Sequence, residues 1–132
     1  MRIFGKTLFK KKVYEQKVIS SKTHGIIDYI VAPALMVVPR MLRWPARVTN
    51  LLMSVGIFHL LYSMLTKYEL GVVKVLPYKG HLALDGVLAA GTLASPAMLT
   101  ETRHESHIGK ALVGMAVFEA VVTALSLVNK KK

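Results

Sequence analysis

Four stretches of about twenty residues, each almost free of charge, constrain this chain more than any other feature: 24–42, 48–66, 81–100 and 108–128. A helix rising 1.5 Å per residue needs about 20 residues to cross about 30 Å of hydrocarbon. The stretch 48–66 contains no Lys, Arg, Asp or Glu, and 81–100 contains Asp85 alone. A soluble four-helix bundle would carry charge on its outer faces at helical spacing, and these stretches do not. A helix apolar all round needs lipid or a large protein about it; a chain of 132 residues, 53% of them hydrophobic, is too short to supply the latter. The expected fold is therefore all-α: a polytopic membrane protein with four transmembrane helices.

The net charge of +11 would suit nucleic acid, but its distribution points to a membrane surface instead. Most basic residues fall before the first stretch (Arg2, Lys6, Lys10, Lys11, Lys12, Lys17, Lys22), between the second and third (Lys67, Lys74, Lys79) or at the end of the chain. With four spans these regions share one face, and the positive-inside rule makes it cytoplasmic, with both termini there. Arg40, Arg43 and Arg47 oppose that orientation. The division that follows is a basic amphipathic or disordered segment 1–22, a transmembrane hairpin 23–66, a cytoplasmic connection 67–80, a second hairpin 81–128 and a basic tail 129–132. Apolar residues in 1–22 are too scattered for the core of a secretory signal. A segment of this kind lies on anionic lipid headgroups. The localisation expected is the cytoplasmic membrane of a bacterium, and the absence of cysteine removes disulfides, thiolate metal sites and a thiol nucleophile.

The two hairpins look duplicated. An offset of 57 aligns Lys22 with Lys79, His24 with His81, Asp28 with Asp85, Ala32 with Ala89, Pro39 with Pro96 and Leu42 with Leu99. An offset of 60 pairs Phe58 with Phe118 and His59 with Glu119. The chain thus reads as two tandem helical-hairpin repeats related about the membrane normal. Pro39 and Pro96 stand where the first and third helices should stop. Gly56, Gly86, Gly91, Gly114 and the row Ala116, Ala120, Ala124 offer small faces for close packing. His-x-x-x-Asp followed by Ser95-Pro96 near the end of the same span, in tandem two-helix units, resembles the SPW-repeat family of small integral membrane proteins. The resemblance covers roughly 22–128. The first copy reads Val38-Pro39, and the motif tryptophan is replaced by Arg40 and Ala97. What it implies is a membrane location and a two-helix unit, with no activity attached.

Polar residues within apolar stretches carry the functional expectations. His24 with Asp28, and His81 with Asp85, each share a helix face at i and i+4. With cytoplasmic termini these pairs, His59 and Glu119 all fall in one half of the bilayer, where burial costs each a few kcal/mol unless it finds a partner. Three readings follow. The polar groups satisfy one another and lock the hairpins of a non-enzymatic scaffold or accessory subunit, whose partners are other membrane subunits or further copies of itself. Alternatively they hold a cofactor: a haem on His24, His81 and His59, or a transition metal on His24, Asp28, His81, Asp85 and Glu119. The third reading is a proton or ion pathway. No nucleophile with a base at useful spacing is visible, so catalysis is not expected. His104 and His107 with Glu101 and Glu105 form a lesser candidate in the last loop. Tyr29, Tyr62, Tyr68, Tyr78 and Trp44 read as an interfacial aromatic belt.

Overall fold

The computed structural model describes residues 17–130; most of the basic N-terminal segment, 1–16, and the last two lysines lie outside it. Among the described residues there are five helices and no strand: α1 (Ser21–Met41), α2 (Ala46–Met64), α3 (Tyr78–Met98), the single turn α4 (Glu101–His104) and α5 (Ser106–Leu127). Local chemistry sets most of the boundaries. Ser20 caps α1, its Oγ accepting from the Thr23 amide at 3.1 Å. Pro45 and Pro77 stand immediately before α2 and α3, where a missing amide costs nothing. Pro39 and Pro96 lie two residues before the ends of α1 and α3. Between α1 and α2 the chain reverses through Arg43, whose φ of 56° is left-handed, and the Trp44 amide bonds back to the Pro39 carbonyl at 3.1 Å.

α1 packs chiefly against α2, and α3 against α5. Gly56 on α2 is where the first pair touches: a Cβ there would stand 2.7 Å from Met36 Cγ and 2.8 Å from the Ala32 carbonyl oxygen. The other glycines expected to pack closely do not. Gly86, Gly91 and Gly114 have nothing within 4 Å of a built Cβ, and Gly86, Ala116, Ala120 and Ala124 line an open groove between α3 and α5. At the end where α1 turns into α2, Val48, Leu52, Leu99, Ile108 and Leu112 form an apolar core, with Leu35, Trp44, Leu51 and Met115 against it. Trp44 thus belongs to the core rather than to an outer belt. At the opposite end Lys17 Nζ reaches Asn129 Oδ1 at 2.8 Å and the Val18 amide donates to the Val128 carbonyl, so the two ends of the described chain meet.

The expectation of four membrane spans is overturned. Among the described residues only α5, 22 residues with a mean hydropathy of 1.8 over its best window, is long and apolar enough to cross a membrane. The other three long helices have the length but not the composition. α1 carries Lys22, His24, Asp28 and Arg40; α2 carries Arg47, Asn50 and His59; α3 carries Lys79, His81 and Asp85. Hydrophobic runs that look continuous in the sequence are therefore interrupted, inside the helices themselves, by exposed basic and polar residues at their ends and by buried His and Asp side chains that turn towards one another.

Candidate metal centre

Those side chains meet at one place. His24 and Asp28 come from α1, His59 and Tyr62 from α2, His81 and Asp85 from α3, and Ser126 from α5. His24 and His59 are 1% exposed, Asp28 3%, and His81 and Asp85 not at all. Charges this far from water need partners of opposite sign or a metal. The pairing runs crosswise. His24 Nε2 lies 2.8 Å from Asp85 Oδ2 and 3.4 Å from its own neighbour Asp28 Oδ1. His81 Nε2 lies 3.0 Å from Asp28 Oδ2 and 3.2 Å from Asp85 Oδ2. His59 Nε2 lies 3.0 Å from Asp28 Oδ1.

The opposite nitrogen of each outer imidazole is held by a hydroxyl. His24 Nδ1 lies 2.7 Å from Ser126 Oγ, and His81 Nδ1 lies 2.8 Å from Thr66 Oγ1. Each hydroxyl is already spending its one proton: Ser126 donates to the Val122 carbonyl at 2.7 Å, and Thr66 to the Tyr62 carbonyl at 2.6 Å. With those protons on the carbonyls, both Nδ1 atoms are donors, because a hydroxyl whose proton is committed elsewhere can only accept. A neutral imidazole with a proton on Nδ1 has a bare lone pair on Nε2. With neutral rings in that tautomer both Nε2 lone pairs would face carboxylate oxygens, acceptor against acceptor, and only a proton or a cation between them makes the arrangement favourable. His81 Nε2 makes no hydrogen bond despite two carboxylate oxygens at 3.0 and 3.2 Å.

One ligand atom from each of His24, Asp28, His81 and Asp85 can be chosen so that all four lie within 4.8 Å of one another. Ligand atoms about 2.0–2.1 Å from a tetrahedral ion stand about 3.3–3.4 Å apart. The four nitrogen–oxygen separations run from 2.8 Å, a hydrogen-bond length, to 3.4 Å, and Asp28 meets His24 through Oδ1 but His81 through Oδ2, so an ion would draw the ligands slightly apart. His59, Asp85 and Glu119 form a second such group, with His59 Nε2 at 3.7 Å from Asp85 Oδ1 and 4.0 Å from Glu119 Oε1.

Two tyrosines complete the shell of the carboxylates. Tyr62 donates to Asp85 Oδ1, and Tyr68 donates to Asp28 Oδ2 at 2.9 Å. Burial, with the Asp28 carboxylate beside it, pushes the Tyr68 phenol above its ordinary pKa, so it stays a donor well into the alkaline range. Tyr68 belongs to the connection between α2 and α3, which folds down over the cluster. The Tyr29 hydroxyl holds the Leu70 carbonyl at 2.9 Å, Ser21 Oγ holds Glu69 Oε1 at 2.7 Å, and the Leu70 and Tyr68 side chains press on Gly25. Gly71 permits this path: a Cβ there would stand 1.8 Å from the Thr66 carbonyl oxygen. The other side of the cluster is open. A cavity of about 480 Å³ runs between the helix pairs, walled by residues such as Val31, Leu35, Val55, Leu88 and Met115. His59 and Glu119 are its only ionisable lining residues.

All six residues expected to hold a ligand are thus brought together. The loop candidate is not: His107 and Glu105 are 3.9 Å apart at closest and exposed, while Glu101 lies 3.6 Å from Arg47. Thr66, Ser126, Tyr62 and Tyr68 were missed. Thr66 and Ser126 stand 60 apart, the offset that pairs His59 with Glu119, so a hydroxyl at matching positions was the available signal. Comparison with protein-family models, with curated proteins and with solved structures finds no match, so the resemblance to the SPW-repeat family rests on the quoted residues alone.

Proposed function

We propose that this protein binds a divalent transition-metal ion at His24, Asp28, His81 and Asp85. The observation that carries the reading is His81: its Nδ1 is held at 2.8 Å by the Thr66 hydroxyl, and its Nε2 is aimed between two buried carboxylates with no hydrogen bond of its own. Two imidazoles and two carboxylates without a thiolate suit zinc, iron or manganese rather than a soft ion. The hydroxyls on the far nitrogens fix tautomer and ring orientation, as outer partners do around ligating histidines. An ion fits better than a haem, because the His24 and His81 rings stand edge to face at 5.2 Å with both Nε2 atoms turned to the same carboxylates. Axial haem ligands would need a macrocycle between them.

The same proposal places the protein in a membrane, held through α5, with the meeting ends of the described chain on the cytoplasmic side. Supporting this are the composition of α5 and the large apolar side chains that other helices leave exposed, among them Ile30, Met41, Val87 and Met98. Lys22, Lys67, Lys74 and Lys79 cluster at or near that end, where anionic headgroups would meet them. A second reading, an accessory subunit, is favoured by the groove of small residues between α3 and α5, which a partner helix could fill.

The test is metal analysis of detergent-purified protein, stripped with chelator and exposed in turn to zinc, manganese and ferrous iron. Stoichiometric metal that survives gel filtration and is lost in Asp85→Asn is expected. A folded protein that retains none of the three ions would refute the reading and leave the accessory-subunit alternative.

A further inference from the structure

The two aspartates divide their oxygens between different nitrogens. Asp85 presents Oδ2 to His24 and His81, at 2.8 and 3.2 Å, and Oδ1 towards His59 at 3.7 Å. Asp28 presents Oδ2 to His81 at 3.0 Å, while its Oδ1 lies 3.0 Å from His59 and 3.4 Å from His24. On the His59 side stands a third carboxylate, Glu119. Its Oε1 is 4.0 Å from His59 Nε2, too far for a hydrogen bond and within reach of a shared ion. We propose that the centre holds two metal ions, the second lying between His59, Glu119 and the Oδ1 atoms of Asp28 and Asp85, with the two aspartates bridging it to the first. This rests on the metal-binding reading above and extends it.

Three features favour a second ion over a single one. The first is the ligand set: one atom each from His59, Asp85 and Glu119 lies within 4.8 Å of the others, and Asp28 Oδ1 stands 3.0 Å from His59 Nε2 beside them. The second is charge, since one divalent ion leaves a third buried or half-buried carboxylate, Glu119, with no counter-charge beyond His59. The third is the difference in surroundings. Tyr68 and the α2–α3 connection close off the His24 and His81 position, whereas His59 and Glu119 form the polar end of the apolar cavity. A position that keeps an open side is the one at which a metal meets a ligand rather than only holding a fold. The ligand that can reach it through those walls is an apolar molecule with a single oxygen-bearing head.

Manganese is the probe. Detergent-purified protein, stripped, loaded with Mn²⁺ and desalted, is expected to retain two ions per chain. Its electron paramagnetic resonance spectrum should carry the exchange-coupled signal of ions about 3.5–4 Å apart. Glu119→Gln, which changes a half-buried residue that makes no hydrogen bond, should lower the ratio to one and replace the coupled signal by that of an isolated ion. His59→Gln should do the same. Two ions with no coupling, or one ion per chain in the unaltered protein with no change in Glu119→Gln, would overturn the second position and leave the first standing. No bound manganese, zinc or iron at all would sink both.

Discussion

The hydroxyl behind His81 offers the sharpest single perturbation. Thr66→Val preserves side-chain shape at a position with no exposed surface and removes the oxygen that meets Nδ1 and donates to the Tyr62 carbonyl. Without metal, the cost is a buried Nδ1–H left without an acceptor and a carbonyl left without the hydroxyl, about 1–3 kcal/mol of stability for each group. The imidazole escapes this by moving its proton to Nε2, where it would donate to Asp28 or Asp85 at 3.0 or 3.2 Å and cease to be a ligand. Metal must then reverse that change, and loss of such an outer partner lowers metal affinity by about 10–100-fold. That is about 1.4–2.8 kcal/mol. At saturating metal the stabilisation conferred by binding falls by the same amount. Competition against a chromophoric chelator measures affinity, and thermal melting with and without metal measures the linked stability. Thr66→Ser keeps the hydroxyl, the same group that stands at position 126, and should bind metal like the unaltered protein. Unchanged affinity in Thr66→Val, alongside reduced stability, would show that the hydroxyl serves only the fold and would refute the tautomer argument.

Two further outcomes follow from the geometry. Gly56→Ala should destabilise the protein by about 1–3 kcal/mol, because its Cβ meets the Ala32 carbonyl at 2.8 Å and a helix backbone cannot retreat cheaply. Gly91→Ala, with open space around it, should be neutral or stabilise by about 0.5–1 kcal/mol through helix propensity, and denaturation of the two variants side by side checks both. Metal affinity should also fall as pH is lowered, since imidazole and carboxylate must give up their protons to ligate; the slope of log affinity against pH counts those protons. A flat profile between neutral and mildly acidic pH would place the bound metal somewhere other than on the histidines.

Helix positions and the ligand set were largely readable without coordinates. The apolar runs 24–42, 48–66, 81–100 and 108–128 fall within about three residues of the ends of the four long helices, and Pro39 and Pro96 come two residues before two of them stop. An i, i+4 spacing puts His24 with Asp28 and His81 with Asp85 on common faces whatever surrounds them, because that periodicity belongs to the helix alone. The level of His59 and Glu119 along their helices followed from counting residues. The number of spans did not follow. The helices run beyond the charge-poor stretches and take in Lys22, Arg47 and Lys79, which with Arg40 and the His and Asp pairs lower the hydropathy of α1, α2 and α3.

Everything that depends on how one helix is rotated against another had to wait for the tertiary structure. Sequence spacing puts each histidine on the face of the aspartate one turn away, yet the shortest carboxylate contact of His24 is with Asp85 and that of His81 with Asp28. Which rotamers converge is decided by the approach of α1 to α2 at Gly56 and by the packing of α3 on α5. The hydroxyl locks of Thr66 and Ser126, the Tyr68 lid and the cavity ending at His59 and Glu119 arise from contacts 15 to 102 residues apart in the chain. Helical periodicity acts over a turn or two, so it selected the residues; only close packing of four long helices could aim their atoms at a common point.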